Sequence, residues 1–125
     1  MLRPRDIAAA FSGHRFSEAY GALSEDVRWV AIGGETTIGR QAVIEICEST
    51  ARELADTTTE FLRFLVVDGG EAVVVDSVAR YVDTSGATTA VASCDVYEFR
   101  DGLVATITSY TVALESSGAA ASRPP

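Results

Sequence analysis

Hydrophobic positions in the first half of the chain recur at helical spacing, and those in the second half fall in long runs broken by glycine-containing turns. Ile7, Ala8 and Phe11 follow Pro4, a residue favoured in the first turn of a helix, and Gly13 is typical of a helix end. The same spacing predicts two further helices around one short strand. These elements are a helix over 16–23, a strand over Val27–Ile32 and a helix over Arg40–Leu54.

After residue 56 the pattern becomes that of β-strands joined by turns. The predicted turns are Asp68-Gly69-Gly70, Thr84-Ser85-Gly86 and Asp101-Gly102. The predicted strands are Thr57–Val67, Glu71–Asp83, Thr88–Arg100 and Leu103–Leu114. This order predicts an α+β fold, in which N-terminal helices pack on one face of a curved antiparallel sheet. It also predicts one domain over residues 1–114 and a disordered tail over 115–125, which is rich in Ser, Gly, Ala and Pro.

The predicted strands carry apolar residues on both faces. Val73 and Val75 alternate with Ala72 and Val74, for example. One layer of helices covers only one face of a sheet, and an exposed apolar face is usually an interface. The pattern therefore predicts a homodimer through the face that points away from the helices.

Composition and charge narrow the class of function. The net charge of −8 argues against a nucleic-acid or anionic-lipid partner, because phosphates demand a basic surface. No apolar run is long enough to span a bilayer, and residues 1–6 do not resemble a signal peptide. We therefore expect a cytoplasmic protein with neither a membrane nor a nucleic-acid partner.

Cysteine and histidine usage gives little support for metal or thiol chemistry. Cys47 and Cys94 fall at apolar positions and are interpreted as buried, reduced thiols. His14 is the only histidine, and no cysteine or carboxylate cluster stands near it at ligand spacing. We expect no metal and no cofactor, and a surface or helix-capping role for His14.

The best candidate for chemistry is Asp95, a carboxylate in the stretch Val91–Phe99, which otherwise predicts a strand packed on both faces. If Thr84–Ala87 closes the preceding hairpin evenly, Asp76 lies opposite Asp95. The shared face would then carry candidate site residues from three strands, although a slip of one residue would turn them outward. Besides the two aspartates, this face comprises Val78, Arg80, Ser93, Tyr97, Ile107, Ser109 and Thr111.

Structural interpretations compete with the functional one at each of these positions. Asp95 fits equally well as a partner of Arg80 or Arg63 that only stabilises the sheet. Asp76 is typical of a solvated strand residue. Tyr97 and Trp29 are typical of a core or a cavity wall, and Ser109 without an adjacent histidine suits hydrogen bonding better than nucleophilic attack.

Three segments together resemble the nuclear transport factor 2-like superfamily, and within it the SnoaL-like and ketosteroid isomerase-like groups. They are YGALSEDVRW at 20–29, IGRQAV at 38–43 and FRDGLV at 99–104, the last running into a strand with Ser109-Tyr110. The resemblance covers roughly residues 3–114. It implies a cone-shaped fold with a pocket between the helices and the concave face of the sheet. It does not imply one reaction, because the superfamily contains enzymes and non-enzymes.

Only one functional residue carries over from these relatives. Asp95 is similar to the protonated aspartate in the oxyanion hole of ketosteroid isomerases. Their general base would fall near Ala31 and their tyrosine near Ile7, and neither residue has an acidic group. The last-strand aspartate of limonene epoxide hydrolases falls near Ser109, and His14 lies too far from the strands to match the acid/base pattern of SnoaL cyclases.

Two functions follow as hypotheses. The first is a pocket for a small apolar ring- or carbonyl-bearing molecule, used by a cofactor-independent isomerase, cyclase, dehydratase or hydrolase. Asp95 would be the acid or oxyanion donor and Asp76 the base. The residues expected to bind substrate are Trp29, Val78, Arg80, Ser93, Tyr97, Ile107 and Ser109. The second hypothesis is a non-catalytic ligand-binding or dimerisation module of the same fold.

Overall fold

The fold is α+β, as predicted, with two helices against one curved six-stranded sheet. The computed structural model describes residues 2–117. The helices are α1 (Pro4–Ser12) and α2 (Arg40–Glu53). The strands are β1 (Leu23–Ala31), β2 (Thr36–Ile38), β3 (Thr58–Asp68), β4 (Ala72–Val82), β5 (Thr88–Arg100) and β6 (Leu103–Ser117).

The sheet is mixed rather than wholly antiparallel. Its strand order is β2-β1-β6-β5-β4-β3, and β1 runs parallel to β6 while every other pair is antiparallel. The three long hairpins of the meander are those expected from the sequence. At the β5–β6 turn, Asp101 and Gly102 both have positive φ, of 55° and 81°, which is the backbone of a tight type I′ hairpin.

Two local predictions were wrong. The segment expected to be a second helix forms two short 3-10 turns, Phe16–Glu18 and Tyr20–Ala22. Residues 13–22 are all that separates the end of α1 from the start of β1, which is too short for a stable helix of its own, and Gly21 weakens one further. The strand β2 was not predicted, because its three residues give too short a pattern; it pairs with β1 through Thr36, Thr37 and Ile38.

The core lies between the helices and the concave face of the sheet. Its fully buried side chains include Val43 and Cys47 from α2 and Tyr97 and Ile107 from the sheet. Cys47 and Cys94 are both free thiols, and burial raises the pKa of Cys47 to about 12. The predicted burial holds for Cys47 but was wrong for Cys94, which is half-buried and pairs with Asp76 on the outer face of the sheet.

The C-terminal end of the domain lies beyond its predicted limit. Strand β6 continues to Ser117, and its last residues pair with Thr88 and Thr89, whereas the tail was expected to begin at residue 115. The rest of the predicted tail, 118–125, lies outside the described residues. Over residues 2–117, no helix has the length and apolar character required to cross a membrane.

Candidate ligand site

The end of α1 brings two polar side chains to the sheet. The backbone N–H of Arg15 donates to the carbonyl of Ala10 at 2.8 Å and that of His14 to Phe11 at 3.1 Å, which together form a Schellman motif. His14 occupies the left-handed position of this motif, with φ of 67°, where glycine is usual. Gly13 stands one residue earlier, because a Cβ there would lie 2.9 Å from the carbonyl oxygen of Ala9.

Strands β5 and β6 supply the facing wall. Asp95 pairs with Ser109, Tyr97 with Ile107 and Ser93 with Thr111. Side chains two residues apart share a face of a strand, so one register places all of these groups on the concave side. These residues of β5 and β6 therefore share the concave face, and Asp95 faces the helices rather than solvent on the convex side.

Asp95 is the meeting point of two hydrogen-bonded chains. Trp29 Nε1 donates to Ser109 Oγ at 2.9 Å, and Ser109 Oγ donates to Asp95 Oδ1 at 2.6 Å. On the other side, Ser12 Oγ lies 2.6 Å from the buried hydroxyl of Tyr97 and donates to Asp95 Oδ2 at 2.7 Å. Ser93 Oγ makes a longer contact of 3.5 Å with Oδ1.

The direction of these bonds makes Asp95 an acceptor. The indole N–H of Trp29 can only donate, so the single hydroxyl proton of Ser109 is left for Asp95. If Tyr97 donates to Ser12, the proton of Ser12 likewise goes to Asp95. Every buried polar group of this hydrogen-bonded network then has a partner. The arrangement therefore suits a carboxylate, because charge-assisted bonds to a carboxylate are stronger than neutral ones.

These groups line a cavity of about 410 Å³ between α1, α2 and the sheet. This volume is in the usual range for small-molecule pockets. Its aromatic lining comprises Phe11, Phe16, Trp29, Phe61 and Tyr81. Its polar lining comprises Ser12, His14, Thr50, Ser77, Ser93, Asp95, Ser109 and Thr111. Among the described residues, no group of three or more His, Cys, Asp or Glu side chains comes together that could hold a metal ion.

His14 lines the cavity, contrary to the surface role expected from the sequence, while its position at the end of α1 agrees with the helix-capping alternative. Its ring stacks on Tyr81 at 6.0 Å between centroids and contacts Phe16 and Phe61, each at 5.6 Å. Burial lowers its pKa, while the charge of Asp95 acts in the opposite direction. Its Nδ1 atom is buried with no hydrogen-bond partner in the structure. His14 is therefore a neutral imidazole at neutral pH with an unused ring nitrogen.

The two tyrosines near Asp95 are also held neutral. Burial and the nearby charge of Asp95 raise the pKa of Tyr81 and raise that of Tyr97 well above the usual value. Tyr97 is fully buried behind the cavity wall, where its hydroxyl contacts Ser12 and its ring lies edge-on to that of Phe11. Neither phenol can act as an anion near neutral pH.

The predicted pairing of Asp76 with Asp95 was wrong. Asp76 pairs with Cys94, and Asp95 instead faces Val75 across the strands. Asp76 lies on the outer face, where its Oδ2 accepts a bond from Arg63 Nε at 2.9 Å. Arg80 also lies outside, paired with Glu60, and neither it nor Val78 lines the cavity. These three residues therefore lie away from the other predicted site residues.

The cause of this error is the length of one loop. Val82 pairs with Thr88, so five residues, 83–87, close the β4–β5 hairpin instead of the four expected. Asp83 builds this loop: its Oδ1 accepts the backbone N–H groups of Ser85 at 2.9 Å and Ala87 at 3.1 Å. Gly86 takes the positive φ of 89° that the turn needs. An odd loop moves every side chain of β4 to the opposite face.

The structure thus keeps part of the predicted site and adds new members. Trp29, Ser93 and Ser109 lie with Asp95 at the cavity, whereas Tyr97 and Ile107 share that face but are fully buried in the core. The added members include Ser12, His14, Phe61, Ser77 and Tyr81. Ser77 and Tyr81 line the cavity because the five-residue loop turns the odd-numbered residues of β4 inward. The positions of Ser12 and His14 depend on how α1 packs against the sheet, which no local sequence pattern predicts.

Comparison with known proteins identifies the family. The model of the SnoaL-like domain matches residues 5–107. The chain belongs to the SnoaL-like domain family. A search of curated proteins found no match. Among solved structures, this SnoaL-like chain resembles an NTF2-like protein of unknown function from Cytophaga hutchinsonii, with 28% sequence identity and a TM-score of 0.75. The match covers 86% of this chain and 94% of the other protein.

Two further structures share the fold at lower identity. One is a protein provisionally assigned as a polyketide cyclase from Xanthomonas campestris, with 22% identity, a TM-score of 0.65 and coverage of 86% and 90%. The other is an LEH-like epoxide hydrolase from M. tuberculosis, with 17% identity, a TM-score of 0.62 and coverage of 88% and 84%. At these identities the SnoaL-like chain shares the architecture of both proteins, which differ in their assigned chemistry.

Proposed function

We propose that this SnoaL-like protein binds a small, mainly apolar ring- or carbonyl-bearing molecule in the cavity and moves a proton with Asp95. The reaction class is a cofactor-independent isomerisation, cyclisation, dehydration or hydrolysis. The observation that carries the proposal is the position of Asp95, a carboxylate that faces the cavity and ends two converging chains of donors. The different chemistries assigned to proteins of this fold support the range of reactions but not a choice among them.

In this proposal Asp95 is the proton acceptor. Ser12 and Ser109 hold its two oxygens in place, so that the side chain needs no reorientation when a substrate arrives. This reverses the role of acid or oxyanion donor expected from the sequence. Because Asp76 lies outside the cavity, His14 replaces it as the second group able to carry a proton, and its neutral imidazole suits that role.

An unbiased ligand screen by thermal shift, followed by turnover assays on the hits, tests this function. We expect Asp95→Asn to remove turnover while the fold remains intact by circular dichroism. Asp76→Asn is the matched control, since it removes a carboxylate from the other face of the same sheet. Unchanged turnover in Asp95→Asn, or equal losses in both variants, would overturn the proposed role of Asp95.

A non-catalytic binding module is the second candidate. The aromatic walls and the volume of the cavity favour ligand binding whether or not chemistry follows. In that case Asp95→Asn changes ligand affinity, and no ligand from the screen is converted by the wild-type protein. Product analysis by NMR over long incubations separates the two candidates, because only an enzyme gives a new compound.

We further propose a homodimer through the outer face of the sheet. The large apolar side chains left exposed there include Leu65, Val67, Tyr110, Val112 and Leu114. Leu65 pairs with Asp76 and Tyr110 with Cys94, and residues two apart on a strand share a face, so that all five lie on the side opposite the helices. Such a broad apolar surface suits a self-complementary interface. A cytoplasmic location stays a prediction from the sequence.

A further inference from the structure

The charge of Asp95 has no cationic partner among the residues that the structure describes. The groups within hydrogen-bonding distance are the hydroxyls of Ser12, Ser93 and Ser109. The two arginines that the sequence offered as partners lie on the outer face, Arg63 with Asp76 and Arg80 with Glu60. Asp95 is half-buried at the cavity wall, and a carboxylate in such a position gains stability from a cation beside it.

The walls of the cavity supply no such cation. None of the lining residues is arginine, and the chain contains no lysine at all. His14 is the remaining lining residue that can become cationic, and burial lowers its pKa so that it is neutral at neutral pH. An anionic ligand would therefore meet the negative charge of Asp95 without any compensating group, which disfavours carboxylates and phosphates.

The rest of the lining suits a positive charge. Aromatic rings from α1, the following turn, β1, β3 and β4 surround the space in front of Asp95. The ring centroid of Phe11 lies 5.1 Å from that of Trp29 and 5.3 Å from that of Phe16. The two rings of each pair are nearly perpendicular to each other. Aromatic faces attract organic cations, and this attraction is stronger where water is excluded.

We propose that the cavity selects a ring-bearing organic cation, whose ammonium or iminium group lies against Asp95 while its ring packs among the aromatic side chains. Oδ2 is the oxygen that would receive it, because Oδ1 already faces Ser109 and Ser93 whereas Oδ2 accepts one bond, from Ser12. The proposal rests on the cavity being the ligand site of the proposed function, and it does not require turnover.

A cationic ligand also fits the proton-accepting role of Asp95. Removal of a proton from a neutral carbonyl compound leaves an anion, and the lining described above has no cation to stabilise it. Removal of a proton from a cation leaves a neutral molecule, so that the negative and positive charges both disappear from the cavity. The absence of a cation from the lining therefore explains why a cationic ligand is preferred. Proton transfer from such a ligand forms no oxyanion, so no oxyanion hole is needed.

Three probes of one shape test the proposal: 1-naphthylmethylamine, 1-naphthalenemethanol and 1-naphthoate. Their affinities are measured by calorimetry at pH 7 and physiological salt, which screens non-specific attraction to a protein of charge −8. We expect the wild-type protein to bind the amine about tenfold or more tightly than the alcohol, and not to bind naphthoate. In Asp95→Asn the preference for the amine disappears while the alcohol still binds.

The outcomes separate this proposal from the function on which it rests. Asp76→Asn is expected to behave as the wild type, since its carboxylate is outside the cavity. Equal affinities for amine and alcohol, tighter binding of naphthoate, or an amine preference that survives in Asp95→Asn would overturn the cation proposal alone. If none of the probes binds, the cavity fails as a site for ring compounds and both proposals fall.

Discussion

Ser12, the last residue of α1, donates its hydroxyl proton to Asp95 Oδ2 at 2.7 Å across 83 positions of sequence. The bond joins the end of a helix to the middle of a central strand. Ser12 is itself held by the hydroxyl of the fully buried Tyr97, on the same face of β5 as Asp95. The packing of α1 on the sheet and the orientation of the carboxylate are therefore coupled through one serine.

We expect Tyr97→Phe to lower the free energy of unfolding by about 1–2 kcal/mol, because it leaves a buried hydroxyl of Ser12 without its donor. Urea denaturation measures the loss. Tyr20→Phe is the matched control: its hydroxyl donates to Glu48 Oε2 at 2.6 Å in an exposed hydrogen bond, and it is expected to contribute less than about 0.5 kcal/mol. Equal stability of the two variants would mean that the Tyr97–Ser12 bond is not a stabilising contact.

Ser109→Ala is expected to disturb Trp29 as well as Asp95. Ser109 is buried and is the acceptor for the indole N–H, so its loss leaves that donor unpaired, at a cost of about 1–3 kcal/mol. Trp29 is the single tryptophan, so the tryptophan fluorescence reports on the surroundings of this one indole. We expect a shifted emission maximum in Ser109→Ala. Ser93→Ala, which removes only the weak 3.5 Å contact to Asp95, should leave the spectrum unchanged.

Sequence reasoning located the fold and the key carboxylate because both depend on local patterns. The turn at Asp101-Gly102 pairs Arg100 with Leu103, and an irregularity between Glu98 and Phe99 then shifts the register by one residue, which aligns Asp95 with Ser109. The β4–β5 register depends instead on the side chain of Asp83, which folds the loop to five residues. Nothing in Thr84-Ser85-Gly86 alone distinguishes this from a four-residue loop, and so Asp76 was assigned to the wrong face.

His14 shows a different limit of the sequence. Its neighbour Gly13 was interpreted as the end of the helix; the close approach of the Ala9 carbonyl favours glycine there, and His14 takes the left-handed position. This shift of one residue turns the imidazole inward, beside Tyr81 and Phe61. Its role thus depends on the packing of α1 against β3 and β4, which is a tertiary property.

The lowered pKa of His14 predicts how stability changes with acid. The unfolded chain takes up a proton near pH 6.5, whereas the folded protein resists it, because burial disfavours the imidazolium. Stability is therefore full above pH 6.5 and is lost as the pH falls towards the lower folded pKa, by at most about 1.4 kcal/mol per pH unit. Asp95 opposes the shift, and the other neighbours of the ring, Phe16, Phe61 and Tyr81, stay uncharged in this range.

His14→Asn tests this prediction, because asparagine tolerates the left-handed backbone but does not titrate. Urea denaturation between pH 7.5 and about 5.5 should show a steeper loss in the wild type than in the variant, since His14 is the single histidine. Parallel curves for the two proteins would show that His14 has an ordinary pKa, and its assignment as a buried neutral imidazole would be wrong.

Val112→Lys tests the proposed dimer. Val112 is 60% exposed on β6 and pairs with Ala92 in the middle of the outer face, so a lysine there would place a charge inside a self-complementary apolar interface. We expect light scattering to show a dimer for the wild type and a monomer for the variant, with an unchanged far-UV spectrum. Ile46→Lys is the control, because Ile46 is 40% exposed but lies on α2, on the helical side of the sheet. A wild-type monomer, or a dimer that survives Val112→Lys and dissociates with Ile46→Lys, would place the contact elsewhere.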